Sequence, residues 1–103
     1  MRAVRLADYD SSPSLVQIDR PDPAPAELRL RVAACGLNFA DLLMMQGKYQ
    51  EKLAPPYTLG MELAGTVDAV GADVTGFKPG DRVAAFAGHG GLADYAVFPA
   101  AMC

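Results

Sequence analysis

Alternation is the strongest local signal in this chain. Across residues 27–34, Leu28, Leu30, Val32 and Ala34 fall on one side of an extended backbone, while Arg29 and Arg31 fall on the other. That period of two predicts a half-buried strand. Residues 63–70 predict a second strong strand, with a turn at Gly71. Four shorter strands are expected over residues 1–6, 15–18, 82–86 and 92–98, each bounded by polar, proline or glycine stretches. The segment Pro21-Asp22-Pro23-Ala24-Pro25 cannot supply ladder donors at its prolines, which predicts an extended connector. Lys78-Pro79-Gly80-Asp81 has proline and glycine at the two central positions of a type II turn.

One stretch breaks from this pattern. Asn38 is suited to cap a helix running to about residue 46, with Asp41 in the first turn, where the helix dipole favours an anion. Phe39, Leu42, Leu43 and Met45 supply its apolar side, and Gly47 ends it. Residues 48–58, carrying Tyr49 and Pro55-Pro56, predict a surface loop. Many short strands at turn-punctuated spacing, with one or two short helices, predict a mainly β domain spanning residues 1–103 and built as a partly open β-barrel.

Composition narrows the classes of function. A chain of 103 residues supports one hydrophobic core without staples. Its net charge of -3 gives no electrostatic reason to expect nucleic acid or an anionic membrane as partner. No apolar run approaches the roughly 20 residues of a membrane-spanning helix. The two cysteines, Cys35 and Cys103, together with a start that lacks a secretory leader, predict free thiols and a cytoplasmic location.

Five blocks of sequence carry the chemistry. They are residues 32–41, ending Gly36-Leu37-Asn38-Phe39-Ala40-Asp41; Gln46-Gly47-Lys48-Tyr49; Gly60-Met61-Glu62-Leu63-Ala64-Gly65, running on to Gly71; Lys78-Pro79-Gly80-Asp81-Arg82-Val83; and Gly91-Leu92-Ala93-Asp94-Tyr95. Each is weak alone. In this order and spacing they resemble the GroES-like N-terminal domain of the medium-chain dehydrogenase/reductase superfamily over essentially the whole chain. The third block resembles that family's G-H-E-x-x-G signature, with Met61 where the zinc-binding histidine stands. The first resembles its first catalytic-zinc segment, with Asn38 in place of the ligand cysteine. A neutral amide binds zinc poorly and a thioether prefers softer ions. Both departures point to the zinc-independent branch, the quinone oxidoreductases.

The resemblance implies a division of labour. Full-length members follow this module with a Rossmann domain, whose glycine-rich turn binds a dinucleotide; that motif is not in these residues. The chain is therefore expected to be the substrate-side part of an enzyme, inactive alone, whose parent passes a hydride from NADPH to a quinone or enone acceptor. NADPH is implied by the family alone, as is a homodimeric parent; no zinc is expected. Asn38 is expected at the catalytic and cofactor-binding position, beside the nicotinamide. Tyr49 is expected at the acceptor, offering a flat face and a hydroxyl donor. Phe39, Tyr49 and Met61 are expected to line the substrate pocket.

Each of these residues also has a structural reading. Asn38 can be a helix cap, Tyr49 a cover for the core, Met61 a core filler. Asp41 complements the helix dipole, and Glu62 is expected to hold a buried turn through hydrogen bonds. Cys35, without ligand spacing to another cysteine or histidine, reads as a small apolar residue. His89, in Gly88-His89-Gly90-Gly91, lacks the lysine and the following helix of a phosphate loop and reads as a solvated loop residue. The alternative to an enzyme is a stand-alone GroES-like binding module without catalysis, since the fold alone does not fix function.

Overall fold

Alternating apolar residues produce strands here, and the strands sort into two antiparallel sheets. The computed structural model describes residues 1–50 and 52–103. Among these, β1 (Arg2–Leu6), β2 (Ser14–Gln17), β3 (Glu27–Gly36), α1 (Phe39–Met45), β4 (Tyr57–Thr58), β5 (Glu62–Val70), β6 (Arg82–Phe86) and β7 (Tyr95–Pro99) follow in order, with a final 3-10 turn at Ala100–Met102. One sheet has the order β2-β1-β4 and the other β6-β5-β3-β7. The two do not close into a barrel, in keeping with the mainly β, partly open architecture read from the pattern.

Burial follows the alternation. Leu28 and Leu30 of β3 are fully buried, and they pack with Leu63, Val67, Ala85, Ala96 and Phe98 as the core of the larger sheet. Fully burying each such aliphatic or aromatic side chain contributes about 1.5–3 kcal/mol. A second cluster, Leu6, Met44, Tyr57, Leu59 and Met61, fills the space between α1 and the smaller sheet. β3 and β5 lie unusually close at Gly65, where a methyl group would run into the Arg31 carbonyl.

A short segment joins the sheets. The Val4 N–H donates to the Leu92 carbonyl at 2.9 Å and the Asp94 N–H to the Arg2 carbonyl at 3.0 Å. Val32 of the other sheet donates to the Asp94 carbonyl at 3.0 Å. Ala3 and Ala93 form an isolated bridge between them. The strand expected over 92–98 therefore begins only at Tyr95, because residues 92–94 spend their backbone groups on this joint.

Two further expectations need correction. Residues 57 and 58 are not surface loop: they form β4 against Arg5 and Leu6, with Tyr57 5% and Thr58 9% exposed. The Tyr57 ring has the second core cluster to bury itself in, which outweighs the loop-like prolines before it. The helix is also turned differently from its apolar spacing. Its buried residues are Asp41 and Met44, whereas Phe39 and Leu42 are 74% and 50% exposed.

Candidate functional site

That inverted helix marks the site. β3 ends at Gly36, Asn38 is held in extended conformation (φ -125°, ψ 151°), and α1 begins at the next residue. The Asn38 N–H donates to Asp41 Oδ2 at 2.8 Å, while the Asp41 N–H donates back to the Asn38 carbonyl at 3.0 Å. The Asp41 carboxylate thus supplies the acid's half of a capping box, while the Asp41 N–H closes a turn on the Asn38 main chain instead of on its side chain. Asp41 is thereby drawn under the helix, 8% exposed, with its Oδ1 buried and lacking a hydrogen-bond partner among the described residues.

The Asn38 side chain is left in the same condition. Its Nδ2 is buried and donates to no described group. Asn38, Phe39, Asp41 and Leu42 line a cavity of about 450 Å³, whose remaining wall is apolar, including Met45, Leu59 and Leu92. A buried donor without an acceptor is costly, roughly 1–3 kcal/mol, unless something fills its hydrogen bond. The chemistry that suits this cavity is therefore a mainly apolar group carrying an oxygen acceptor for Asn38 and a donor for Asp41.

Tyr49 and Met61 lie on another side of the same wall. Met61 is 3% exposed within the second core cluster, and Tyr49 is half-buried beside it. The two border a smaller recess of about 170 Å³ together with Phe86, Gly88 and Met102. The backbone at Gly60 and Met61 forms the partition, Gly60 facing the Asn38 cavity and Met61 the other recess. Loop 87–92 is zipped to this partition: Ala87 N–H donates to the Met61 carbonyl at 3.0 Å, Gly91 N–H to Gly60 at 2.9 Å and Leu92 N–H to Leu59 at 2.8 Å. The expected residues thus divide into two pairs, Asn38 with Phe39 and Tyr49 with Met61.

Other residues fall as follows. Glu62 makes no side-chain hydrogen bond among the described residues, contrary to the anchoring role expected for it; its carboxylate instead lies over Gly36, where a Cβ would displace it. Cys35 is half-buried with its sulfur against Gly60 and Gly91, and its thiol is pushed up from 9.0 by burial and then by the charges of Asp41 and Glu62. His89 is exposed and stands edge-on to the Tyr57 ring, centroids 6.5 Å apart. The Tyr57 phenol is raised by burial, then by Tyr9 and Asp41, and its hydroxyl is buried without a described partner. Leu59 and Leu92, which wall the Asn38 cavity, were not singled out from sequence, because isolated leucines at strand ends give no signal of their own. No group of three His, Cys, Asp or Glu among the described residues could hold a metal ion.

Residues 24–103 match the family model of the alcohol dehydrogenase GroES-like domain. The chain belongs to that family. Quinone oxidoreductase-like protein 2 of Bos taurus is 45% identical over 83 residues, covering 80% of this chain and 24% of the relative. The synaptic vesicle membrane protein VAT-1 homolog-like of Mus musculus is 40% identical over 102 residues, covering 96% and 24%. Among solved structures, the quinone oxidoreductase from Thermus thermophilus, which also has a structure in complex with NADPH, superposes with a TM-score of 0.84 at 37% identity. That match covers 99% of this chain and 31% of the other. The chain thus spans about a quarter to a third of the length of these relatives. Both the GroES-like fold and the quinone oxidoreductase resemblance hold. No helix among the described residues is long and apolar enough to cross a membrane.

Proposed function

We propose that this domain is the acceptor-side wall of an NADPH-dependent quinone or enone oxidoreductase that works without zinc. The observation that carries the proposal is Asn38 itself, which lines a mostly apolar cavity and whose Nδ2 is buried without a partner among the described residues. Bound NADPH supplies the hydride; the residues of this chain supply shape and hydrogen bonds. The apolar wall excludes water and takes a planar, uncharged ligand face. Asn38 offers its amide N–H to an oxygen of that ligand, either the carboxamide of the nicotinamide or the acceptor carbonyl as negative charge gathers on it. Phe39, exposed on the rim, stacks against the entering ring. Tyr49 offers a phenol from the neighbouring recess, next to the buried Met61.

Asn38 and Met61 are the reason for placing no zinc in the reaction, since an amide and a thioether make a poor donor set for that ion. Quinones suit such a site because their reduction is intrinsically favourable and needs only modest stabilisation of the reduced oxygen.

The test is made on the parent enzyme with its nucleotide domain. Asn38→Ala should lower turnover with a quinone by about 10²-fold, the usual loss on removing one donor to a developing oxyanion. Activity should survive exhaustive chelation. A variant with unchanged turnover would remove Asn38 from the reaction. Loss of activity on chelation, restored by zinc, would overturn the metal-free reading. Failure of the intact parent to oxidise NADPH with any quinone or enone would favour the binding-module alternative.

A further inference from the structure

The connection that carries Tyr49 is held from outside by one side chain. Tyr9 lies in the turn between β1 and β2, and its ring rests on Gly47 so closely that a Cβ there would sit 3.3 Å from the ring atoms. The Tyr9 hydroxyl donates to the Leu53 carbonyl at 2.7 Å. The next residue reinforces the clasp, with the Asp10 N–H donating to the Met45 carbonyl at 2.9 Å at the end of α1. Tyr9 therefore touches Gly47 on one side of Tyr49 and Leu53 on the other. Among the described residues, the only other hydrogen bond made by residues 48–50, 52 and 53 is Lys48 N–H to the Leu43 carbonyl, at 2.9 Å. Tyr49 itself makes none, and it packs with Tyr9 and Leu53 around the second core cluster.

We propose that Tyr9 is a positioning residue: by clasping Gly47 and Leu53 it fixes where Tyr49 stands relative to the acceptor. The inference rests on the proposed role of Tyr49, whose phenol is offered to the acceptor from the neighbouring recess. A half-buried tyrosine that makes no hydrogen bond of its own among the described residues is free to sample several positions, and ordering it costs acceptor binding. The Tyr9 hydroxyl removes that freedom without touching the ligand.

The experiment compares Tyr9→Phe, Tyr49→Phe and the double variant in the parent enzyme, with steady-state kinetics against one quinone. Hydrogen exchange is followed at the Lys48 amide, which donates to the Leu43 carbonyl. Tyr9→Phe keeps the ring on Gly47 and deletes only the hydroxyl, so the protein should fold. One lost hydrogen bond, near 1 kcal/mol, corresponds to about a fivefold change. The acceptor KM should therefore rise about fivefold while kcat stays within twofold, and the Lys48 amide should exchange faster. In the Tyr49→Phe background, the same change should add less than twofold. A merely structural Tyr9 would lower the melting temperature and leave the KM where it was, which would overturn the proposal. If Tyr49→Phe raises the KM but Tyr9→Phe does not, the clasp fails and the acceptor role of Tyr49 stands. If Tyr49→Phe alone leaves the KM unchanged, the acceptor role fails and the positioning role falls with it.

Discussion

Cys35 illustrates how far burial alone sets the behaviour of a side chain. Its thiol is raised above 9.0 chiefly because the thiolate would be desolvated, and Asp41 and Glu62 add to the penalty. At neutral pH it should react with iodoacetamide far more slowly in the folded protein than in urea, read by mass spectrometry of quenched samples. The same shift has a consequence for stability. Below the ordinary thiol value both folded and unfolded states are protonated and the group is neutral in the balance. As pH climbs past 9.0, the unfolded chain ionises first, so stability falls until the folded value is passed. Cys35→Ala should flatten part of that alkaline decline in chemical denaturation at about pH 8 and pH 10.5; an identical decline in both proteins would count against the assignment. Gly47 makes a second case. Its φ of 68° and the Tyr9 ring above it both oppose a side chain. Gly47→Ala should therefore cost roughly 1–2 kcal/mol by denaturant titration.

Strands and helix were legible in the sequence to different degrees, for a physical reason. β3 and β5 have one wet and one dry face, and such strands announce themselves by alternation. β4 does not, because two residues are too few to alternate and its burial comes from a cluster assembled elsewhere in the chain. The helix was found but its facing was not. Apolar spacing placed Phe39 and Leu42 inward, whereas the capping exchange between Asn38 and Asp41 draws the acid under the helix instead. That Asn38 and Phe39 would share a candidate site was readable from the family pattern; the separation of Tyr49 from Asn38 by the backbone at Gly60 was not, since no local pattern encodes a partition. Packing between strands gives its own prediction at Gly65. Gly65→Ala should drive β3 and β5 apart at the Arg31 carbonyl and destabilise the domain by at least the roughly 1–3 kcal/mol typical of overpacking. A melting curve within error of wild type would show that the strands can shift at little cost. β6 is an edge of its sheet and ends in Phe86, which is 56% exposed. Phe86→Lys should reduce concentration-dependent association of the isolated domain in light scattering.

The assembly as a unit depends on the joint at residues 92–94, where Asp94 also receives the Arg2 side chain at 2.8 Å and the Arg2 N–H at 2.7 Å. Those bonds hold the Asp94 carboxyl below its usual value of 3.8. The contribution is therefore in place above that value and is lost as pH falls through the lowered one. Asp94→Asn should make stability less sensitive to acid between about pH 5 and pH 2. The variant should show a small loss of stability near neutral pH by urea titration, small because the pair is exposed, and that loss should shrink toward pH 2. The same joint also decides how the domain would answer to a pulling force. Tension applied between Arg2 and Cys103 would reach the few bonds at residues 92–94 before it reached either sheet's ladder. The first rupture in a single-molecule trace should therefore be the parting of two intact sheets, a short extension at low force, with the cores of both still folded when it happens.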